Sequence, residues 1–211
     1  MPRTIFWDVD TQVDFMDPSG ALYVPGAETI VPNLERLTDL ARRMGMHRGG
    51  SVDYHSPDDP ELSRSPDWVE TYPPHCLAGT PGAAKIPATA PRHPFWIASN
   101  PVPSPALAAQ VRSHVGEVIL QKQRFDVFSN PNVCTVLRAL APERIVVYGV
   151  ATDVCDKYAV EGFLLLGGLE IWFVEDAARA IRQEAVLPLL DRWREAGIRL
   201  VTTEEVLAEI R

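Results

Sequence analysis

The sequence predicts an α/β fold in which a mainly parallel, six-stranded sheet is covered by helices on both faces. The main evidence is an alternation along the chain, in which short apolar runs are followed by segments whose apolar residues recur at helical spacing. The length of 211 residues is enough for one domain with a sizeable core. No internal repeat or domain boundary is visible, so we expect residues 1–211 to form a single domain.

The predicted strands are short and mostly apolar, with many β-branched and aromatic residues. In chain order they are Thr4–Asp10, Ser51–Tyr54, Glu117–Lys122, Arg144–Val150, Glu170–Val174 and Ile198–Val201. The run Arg144–Val150 has the clearest strand pattern. The second strand is harder to place, because His47-Arg48-Gly49-Gly50 is a poor strand sequence. His93–Ala98 is a candidate for an additional short strand.

The predicted helices carry apolar residues three and four positions apart. They are Glu28–Met44, Pro105–His114, Asn132–Leu140, Asp153–Leu166, Arg182–Ala196 and Thr203–Ile210. Residues 55–104 are predicted to be mainly loops, since many of the 19 prolines fall there.

Composition disfavours several classes of partner. The formal net charge of -8 argues against nucleic acid and anionic membranes, because phosphate groups would repel the protein. No apolar run approaches the roughly 20 residues that a membrane span needs, and no signal peptide is visible. The cysteines Cys76, Cys134 and Cys155 are too few for a disulfide framework. We therefore expect a cytoplasmic protein, while the net charge says little about a small neutral substrate.

Reactive groups follow three of the predicted strands. Asp10, Lys122 and Cys155 would converge on one crevice, because ligands bind beyond the carboxyl ends of parallel strands. If Thr152 caps the next helix, Cys155 lies in its first turn, where free N–H groups favour a thiolate. Asp10 could then exchange a proton with the thiol, and the amides near Ala151 and Cys155 could hold an oxyanion.

Each of these residues also has a simpler interpretation. Cys155 could be an inert buried cysteine, as most buried cysteines are. Lys122 could simply reach solvent, as most lysines do. Asp10 is more informative, because an acid that ends an apolar strand must be paired or functional.

A second group of polar residues lies in the predicted loop region. Asp53-Tyr54-His55 places a carboxylate and an imidazole on the same side of an extended segment, and His75 follows later. Two histidines and an aspartate suit a divalent transition metal. A pair of surface histidines is the alternative, and for Cys76 we favour a structural role.

Five motifs together resemble the isochorismatase-like cysteine hydrolases, most closely their nicotinamidase branch. In family order they are DTQVDF (10–15), SVDYH (51–55), YPPHCLAGTPGA (72–83), QK (121–122) and GVATDVC (149–155). The resemblance implies a Rossmann-like, three-layer αβα fold and an Asp10–Lys122–Cys155 catalytic triad. It also implies a cis peptide bond between Val150 and Ala151 that aims the amides of an oxyanion hole, to which Cys155 contributes.

The same resemblance implies one divalent metal ion, zinc, manganese or iron, held by Asp53, His55 and His75. The expected reaction is hydrolysis of nicotinamide, or a close analogue, to nicotinate and ammonia through a thioester. Relatives are usually homo-oligomers, so we expect one here.

Aromatic side chains are expected to form the substrate pocket, namely Phe15, Tyr72 and Phe125. The family often has tryptophan three residues before the metal histidine, where this chain has Tyr72. Met46–Gly50 replaces the apolar strand that usually precedes the D-x-H pair, and the stretch Pro87–Pro103 is particular to this chain.

Three alternatives remain open on the sequence. Asp8-Val9-Asp10 ends an apolar strand as the D-x-D motif of haloacid dehalogenase-type phosphatases does, although Gln12 stands where that motif has Thr or Val. A metal-independent amidase of the same fold, acting on another small amide or carbamoyl compound, is the second. A non-catalytic ligand-binding protein of this fold is the third.

Overall fold

The computed structural model describes residues 2–210 and contains one parallel sheet. Its strands are β1 (Thr4–Val9), β2 (His47–Asp53), β3 (Pro94–Ile97), β4 (Glu117–Lys122), β5 (Arg144–Val150), β6 (Glu170–Arg179) and β7 (Arg199–Val201). The order across the sheet is β3-β4-β2-β1-β5-β6-β7, and every neighbouring pair is parallel. The α/β class and the parallel sheet are therefore confirmed.

The predicted number of six strands is wrong, because residues 2–210 form seven. The added strand is β3, which falls within the candidate segment His93–Ala98. It spans only four residues and pairs with β4 alone at the edge of the sheet. Trp96 remains 46% exposed there, so the apolar alternation that marks a half-buried strand is weak.

Strand β2 begins at His47, four residues earlier than predicted, and lies between β1 and β4. Its glycines are required by close packing rather than by turn geometry. A Cβ at Gly50 would lie 2.2 Å from the backbone oxygen of Asp8, and one at Gly49 would lie 3.0 Å from the ring of Trp7. Residues of poor strand propensity therefore form a central strand because their neighbours leave no room for side chains.

Helices cover both faces of the sheet. In the described part of the chain they are α1 (Val13–Met16), α2 (Val31–Arg43), α3 (Ser104–Ser113), α4 (Val133–Leu140), α5 (Cys155–Leu166), α6 (Val186–Glu195) and α7 (Thr203–Glu209). Trp7 packs against Phe163 of α5, with ring centroids 5.1 Å apart. Asp8 points to the opposite face, where it lines a small cavity with Thr38 of α2.

The strand order brings the carboxyl ends of β4, β2, β1 and β5 next to one another. The long connection between β2 and β3, residues 54–93, includes segments that return to this edge. Its Leu77 forms an isolated bridge with His55, and its Lys85 forms one with Gln12. Within residues 2–210, no helix is long and apolar enough to cross a membrane.

Candidate active site

Asp10 follows the last residue of β1 and is completely buried. Its φ of 46° lies in the left-handed region, an unfavourable conformation for aspartate that is typical of functional sites. The hydroxyl of Ser51 donates to Asp10 Oδ1 at 2.7 Å, and the Asp10 N–H donates to the Ser51 carbonyl at 3.2 Å. Strand β2 therefore holds the carboxylate in one orientation.

Lys122, the last residue of β4, joins the acidic groups to the thiol. Its Nζ lies 2.9 Å from Asp10 Oδ2 and 3.5 Å from Cys155 Sγ, and it also donates to Asp53 Oδ1. Burial disfavours the ammonium form, but the two carboxylates outweigh burial and raise the pKa of Lys122 well above its usual value. The lysine therefore carries a positive charge in the centre of the site.

Cys155 is the first residue of helix α5 and so lies in its first turn, as predicted. Thr152 is not the N-cap that we predicted. That position is taken by Val154, and residues 152–154 form a turn. The peptide bond between Val150 and Ala151 is cis, as the resemblance implies. None of the hydrogen bonds within residues 2–210 uses the backbone N–H of Ala151 or Cys155, so both are free to bind an oxyanion.

The surroundings of the Cys155 thiol favour its neutral form. Burial raises its pKa well above the usual value, and the nearby carboxylates Asp10 and Asp53 raise it further, whereas Lys122 opposes them. Desolvation thus acts against the thiolate that we expected the start of a helix to favour. Burial also raises the pKa of Asp10, although Lys122 opposes the shift.

Asp53, His55 and His75 lie together, with one possible ligand atom of each within 4.8 Å of the others. The Asp53 Oδ2 atom is 3.8 Å from His55 Nε2 and 3.5 Å from His75 Nε2. The Nδ1 atom of each imidazole, which faces away from the cluster, has a hydrogen-bond partner. His55 Nδ1 lies 3.1 Å from Asp59 Oδ2, and His75 Nδ1 lies 2.7 Å from the Pro73 carbonyl.

This arrangement fits a divalent transition metal. Outer contacts of this kind set the imidazole tautomer so that each Nε2 presents a lone pair inward. The His55 Nε2 atom is buried and has no hydrogen-bond partner in the described part of the chain, as expected for a ligand atom. Cys76 is also buried, but its thiol approaches the Gly82 carbonyl at 3.8 Å, which agrees with a structural role.

Two residues that sequence reasoning did not single out position this cluster. Gln12 accepts from the Asp53 N–H and donates to the Asp53 carbonyl, both at 2.7 Å. Asp14 accepts from the Cys76 N–H at 2.7 Å, next to His75. Both residues belong to the motif of residues 10–15, and this membership is the sequence feature that could have identified them.

Glu61 is a third residue that the sequence did not reveal. It is 4% exposed, and its Oε1 accepts from the Phe125 N–H at 2.8 Å. Burial raises the pKa of its carboxyl to about 7. Glu61 lies in the loop region without a local pattern, so only the three-dimensional structure brings it to the site.

A cavity that is partly open to solvent lies between Cys155 and the metal-ligand candidates Asp53 and His75. The three predicted pocket aromatics all line it, namely Phe15, Tyr72 and Phe125. The remaining lining residues are apolar: Leu22, Val24, Ala151, Val154 and Ile181. None of the lining residues is a lysine or an arginine. The cavity therefore suits a small uncharged molecule.

Asp8 does not belong to the site, which removes the structural basis of the phosphatase alternative. Its Oδ2 forms an ion pair with Lys85 Nζ at 2.8 Å, and Thr11 donates to its Oδ1 at 2.8 Å. Asp8 and Asp10 therefore do not act together on one ligand, as a D-x-D motif requires.

Comparisons with known proteins agree with one another. A family model described as the isochorismatase domain matches residues 5–205. The chain is 26% identical over 196 residues to the nicotinamidase/pyrazinamidase of Mycobacterium tuberculosis, covering 92% of this chain and 95% of that protein. It is 22% identical over 204 residues to a probable inactive nicotinamidase of Arabidopsis thaliana, covering 96% and 93%.

Among solved structures, the pyrazinamidase of Pyrococcus horikoshii in complex with zinc superimposes with a TM-score of 0.73. It is 24% identical, and the match covers 95% of this chain and 99% of that one. At this identity the similarity establishes the fold.

Proposed function

The chain belongs to the isochorismatase family of amide-cleaving hydrolases, and we propose that it is a cysteine-dependent enzyme that converts nicotinamide, or a close analogue, into the acid and ammonia. The observation that carries the proposal is the position of Cys155 Sγ, which lies 3.5 Å from Lys122 Nζ on the wall of a small cavity. Candidate metal ligands line the same cavity.

The cavity lining favours an uncharged ring amide as substrate. Aromatic and aliphatic side chains cover most of the wall, so a flat ring can be desolvated there at little cost. A substrate carboxylate would meet no lysine or arginine among the lining residues, so the proposed metal ion would be its one cationic partner there. Carbamoyl or ureido acids fit this lining less well than nicotinamide does.

Asp53, His55 and His75 would hold one divalent ion, zinc, manganese or iron. When bound, such an ion supplies a Lewis acid that can accept a ring nitrogen of the substrate. The protein's own part is to present the two imidazole Nε2 atoms and one carboxylate oxygen inward, with Gln12 holding the backbone of Asp53.

In the acylation half-reaction, Cys155 Sγ forms a bond to the amide carbon while its proton passes to the Asp10 carboxylate. The N–H groups of Ala151 and Cys155 receive the negative charge on the carbonyl oxygen. The carbon–nitrogen bond then breaks, and Asp10 gives the proton to the leaving nitrogen, which departs as ammonia. A thioester remains on Cys155.

In the second half-reaction, Asp10 takes a proton from water, which attacks the thioester carbon. The carbon–sulfur bond breaks, the thiolate regains its proton from Asp10, and the acid is released. Lys122 remains an ammonium throughout, because its pKa is raised well above its usual value by the carboxylates of Asp10 and Asp53, which outweigh burial. Its charge stabilises the ionised form of Asp10 at the start of each step.

The test is ammonia release from nicotinamide by purified protein, measured with Cys155→Ala and Cys134→Ala side by side. Loss of the nucleophile should lower kcat by at least about 10³-fold. Cys134 is a half-buried residue of α4 outside the cavity, so Cys134→Ala should retain activity. Full activity in Cys155→Ala would refute the proposal.

Two alternatives make different predictions in the same assay. A metal-independent amidase of this fold would leave nicotinamide intact but turn over another small amide or carbamoyl compound. A non-catalytic ligand-binding protein would turn over none of these compounds. This outcome stays an alternative because the chain is similar to a probable inactive nicotinamidase.

A further inference from the structure

Tyr72 occupies a special place in the cavity wall. The residue is 2% exposed, and its ring is held edge-on between two other aromatic rings. The Trp68 ring centroid lies 5.8 Å away at 83°, and the Phe125 centroid lies 5.5 Å away at 89°. The phenol ring therefore has little freedom to turn, and the direction of its hydroxyl is set by packing.

No side-chain hydrogen bond of the Tyr72 hydroxyl is found within residues 2–210, and its oxygen is not among the fully buried polar atoms that lack a partner, so it keeps contact with open space. Buried tyrosine hydroxyls usually find a partner in the protein. Because Tyr72 lines the cavity, its hydroxyl can find that partner in a molecule bound there.

The other polar lining groups already have roles in the proposed reaction. Cys155 is the nucleophile, and Asp53 and His75 are candidate metal ligands, whereas the remaining wall is apolar. The Tyr72 hydroxyl is thus a hydrogen-bonding group without an assigned role on a residue that lines the space a substrate ring would fill.

We propose that Tyr72 is a specificity-determining residue whose hydroxyl hydrogen-bonds a polar atom on the substrate ring. The preferred substrates are then ring carboxamides that carry a second ring nitrogen, a hydroxyl or an amino group, rather than nicotinamide itself. An unsubstituted ring displaces water from the hydroxyl and leaves it without a partner, which lowers transition-state binding. This inference rests on the proposed function and names the substrate class of the same site.

The test compares wild type and Tyr72→Phe on a panel of ring carboxamides. The panel contains nicotinamide, pyrazinamide and nicotinamides with a hydroxyl or amino group at each open ring position. We expect wild type to favour at least one substituted ring over nicotinamide. In Tyr72→Phe, the ratio of kcat/KM for that substrate to kcat/KM for nicotinamide should fall about fivefold, as expected for one hydrogen bond.

Tyr158→Phe is the matched control. Tyr158 stacks on Phe125 with centroids 6.3 Å apart but is 39% exposed and does not line the cavity. Removing its hydroxyl should leave the substrate ratios as they are in wild type. Thermal unfolding of both variants checks that neither change disturbs the fold.

The outcomes separate this inference from the proposed function. If wild type cleaves nicotinamide but the ratios in Tyr72→Phe agree with those of wild type within twofold, the role of Tyr72 is refuted and the function stands. If wild type cleaves no ring carboxamide, the proposed function fails and the inference fails with it.

Discussion

At the scale of single residues, Asp53 connects the two parts of the site. One carboxylate oxygen accepts from Lys122, and the other lies 3.5 Å from His75 Nε2. The same side chain therefore serves the proposed triad and the proposed metal cluster. Neighbouring residues that do not contact the substrate are then also important, because they hold the side chains of the proposed triad and metal cluster in place.

Asp59 offers a test of this support. Its Oδ2 lies 3.1 Å from His55 Nδ1 and so orients the imidazole. We expect Asp59→Asn to weaken binding of zinc about 10- to 100-fold, measured by competition with a chelating dye. Asp58→Asn, which changes the exposed neighbouring acid, is the control. Equal affinity in both variants would contradict the assigned role of Asp59.

The charge on Asp10 has a measurable effect on the thiol. Burial is the largest influence that raises the pKa of Cys155. The charge of Asp10 raises this pKa further, whereas Lys122 lowers it. Asp10→Asn should therefore lower that pKa, so that alkylation of Cys155 by iodoacetamide begins at a lower pH than in wild type. Turnover should nevertheless fall by at least about 100-fold, because no group remains to exchange the proton.

Alkylation is followed by mass spectrometry of the peptide that contains Cys155, at equal metal loading. An alkylation profile shifted to higher pH in Asp10→Asn would show that Asp10 does not act on the thiol through its charge.

The sequence predicted the strand-end residues of the site because parallel strands bring their carboxyl ends together. Asp10, Lys122 and Cys155 follow three such strands, and the structure brings them together, while their catalytic roles stay predictions. Glu61 could not be predicted in this way. It lies in a loop, and the path of a loop depends on contacts between distant residues.

At the scale of elements, β2 and α5 show how tertiary packing changes local expectations. Strand β2 includes Gly49 and Gly50 despite their low strand propensity, because Trp7 and Asp8 of the neighbouring strand occupy the space of their side chains. Helix α5 starts at Cys155 and has Val154 as its N-cap, although Thr152 is the better capping residue. The turn that precedes Cys155 is thus not determined by capping preference alone.

A methyl group at Gly50 tests the packing of β2. In Gly50→Ala the new Cβ would lie 2.2 Å from a backbone oxygen, which cannot move without disturbing β1. We expect a loss of at least about 2 kcal/mol in the free energy of unfolding, measured by urea denaturation. In Gly49→Ala the new Cβ would meet the edge of the Trp7 ring at 3.0 Å, a less severe contact, and the change should cost less. The reverse order would contradict this account.

At the scale of the whole molecule, the α/β class and the parallel sheet were predictable because the alternation of helix and strand patterns extends over the chain. The number of strands was not, since edge strand β3 is short and partly exposed. The cytoplasmic location and the homo-oligomeric state stay predictions.

The oligomeric state is tested by size-exclusion chromatography with light scattering. We expect a mass that is a multiple of the 23.4 kDa of one chain, with at least two copies. A single species of one-chain mass across the micromolar range would contradict this expectation.

The site is built from two kinds of segment. Asp10, Asp53 and Lys122 end or directly follow central strands, whereas Tyr72 and Phe125 lie in connections between them. Under the proposed function, substitutions in the connections can alter which amide is accepted without moving the proposed reacting groups. During divergence within the family, substrate preference can therefore change in small steps while the chemistry is inherited unchanged.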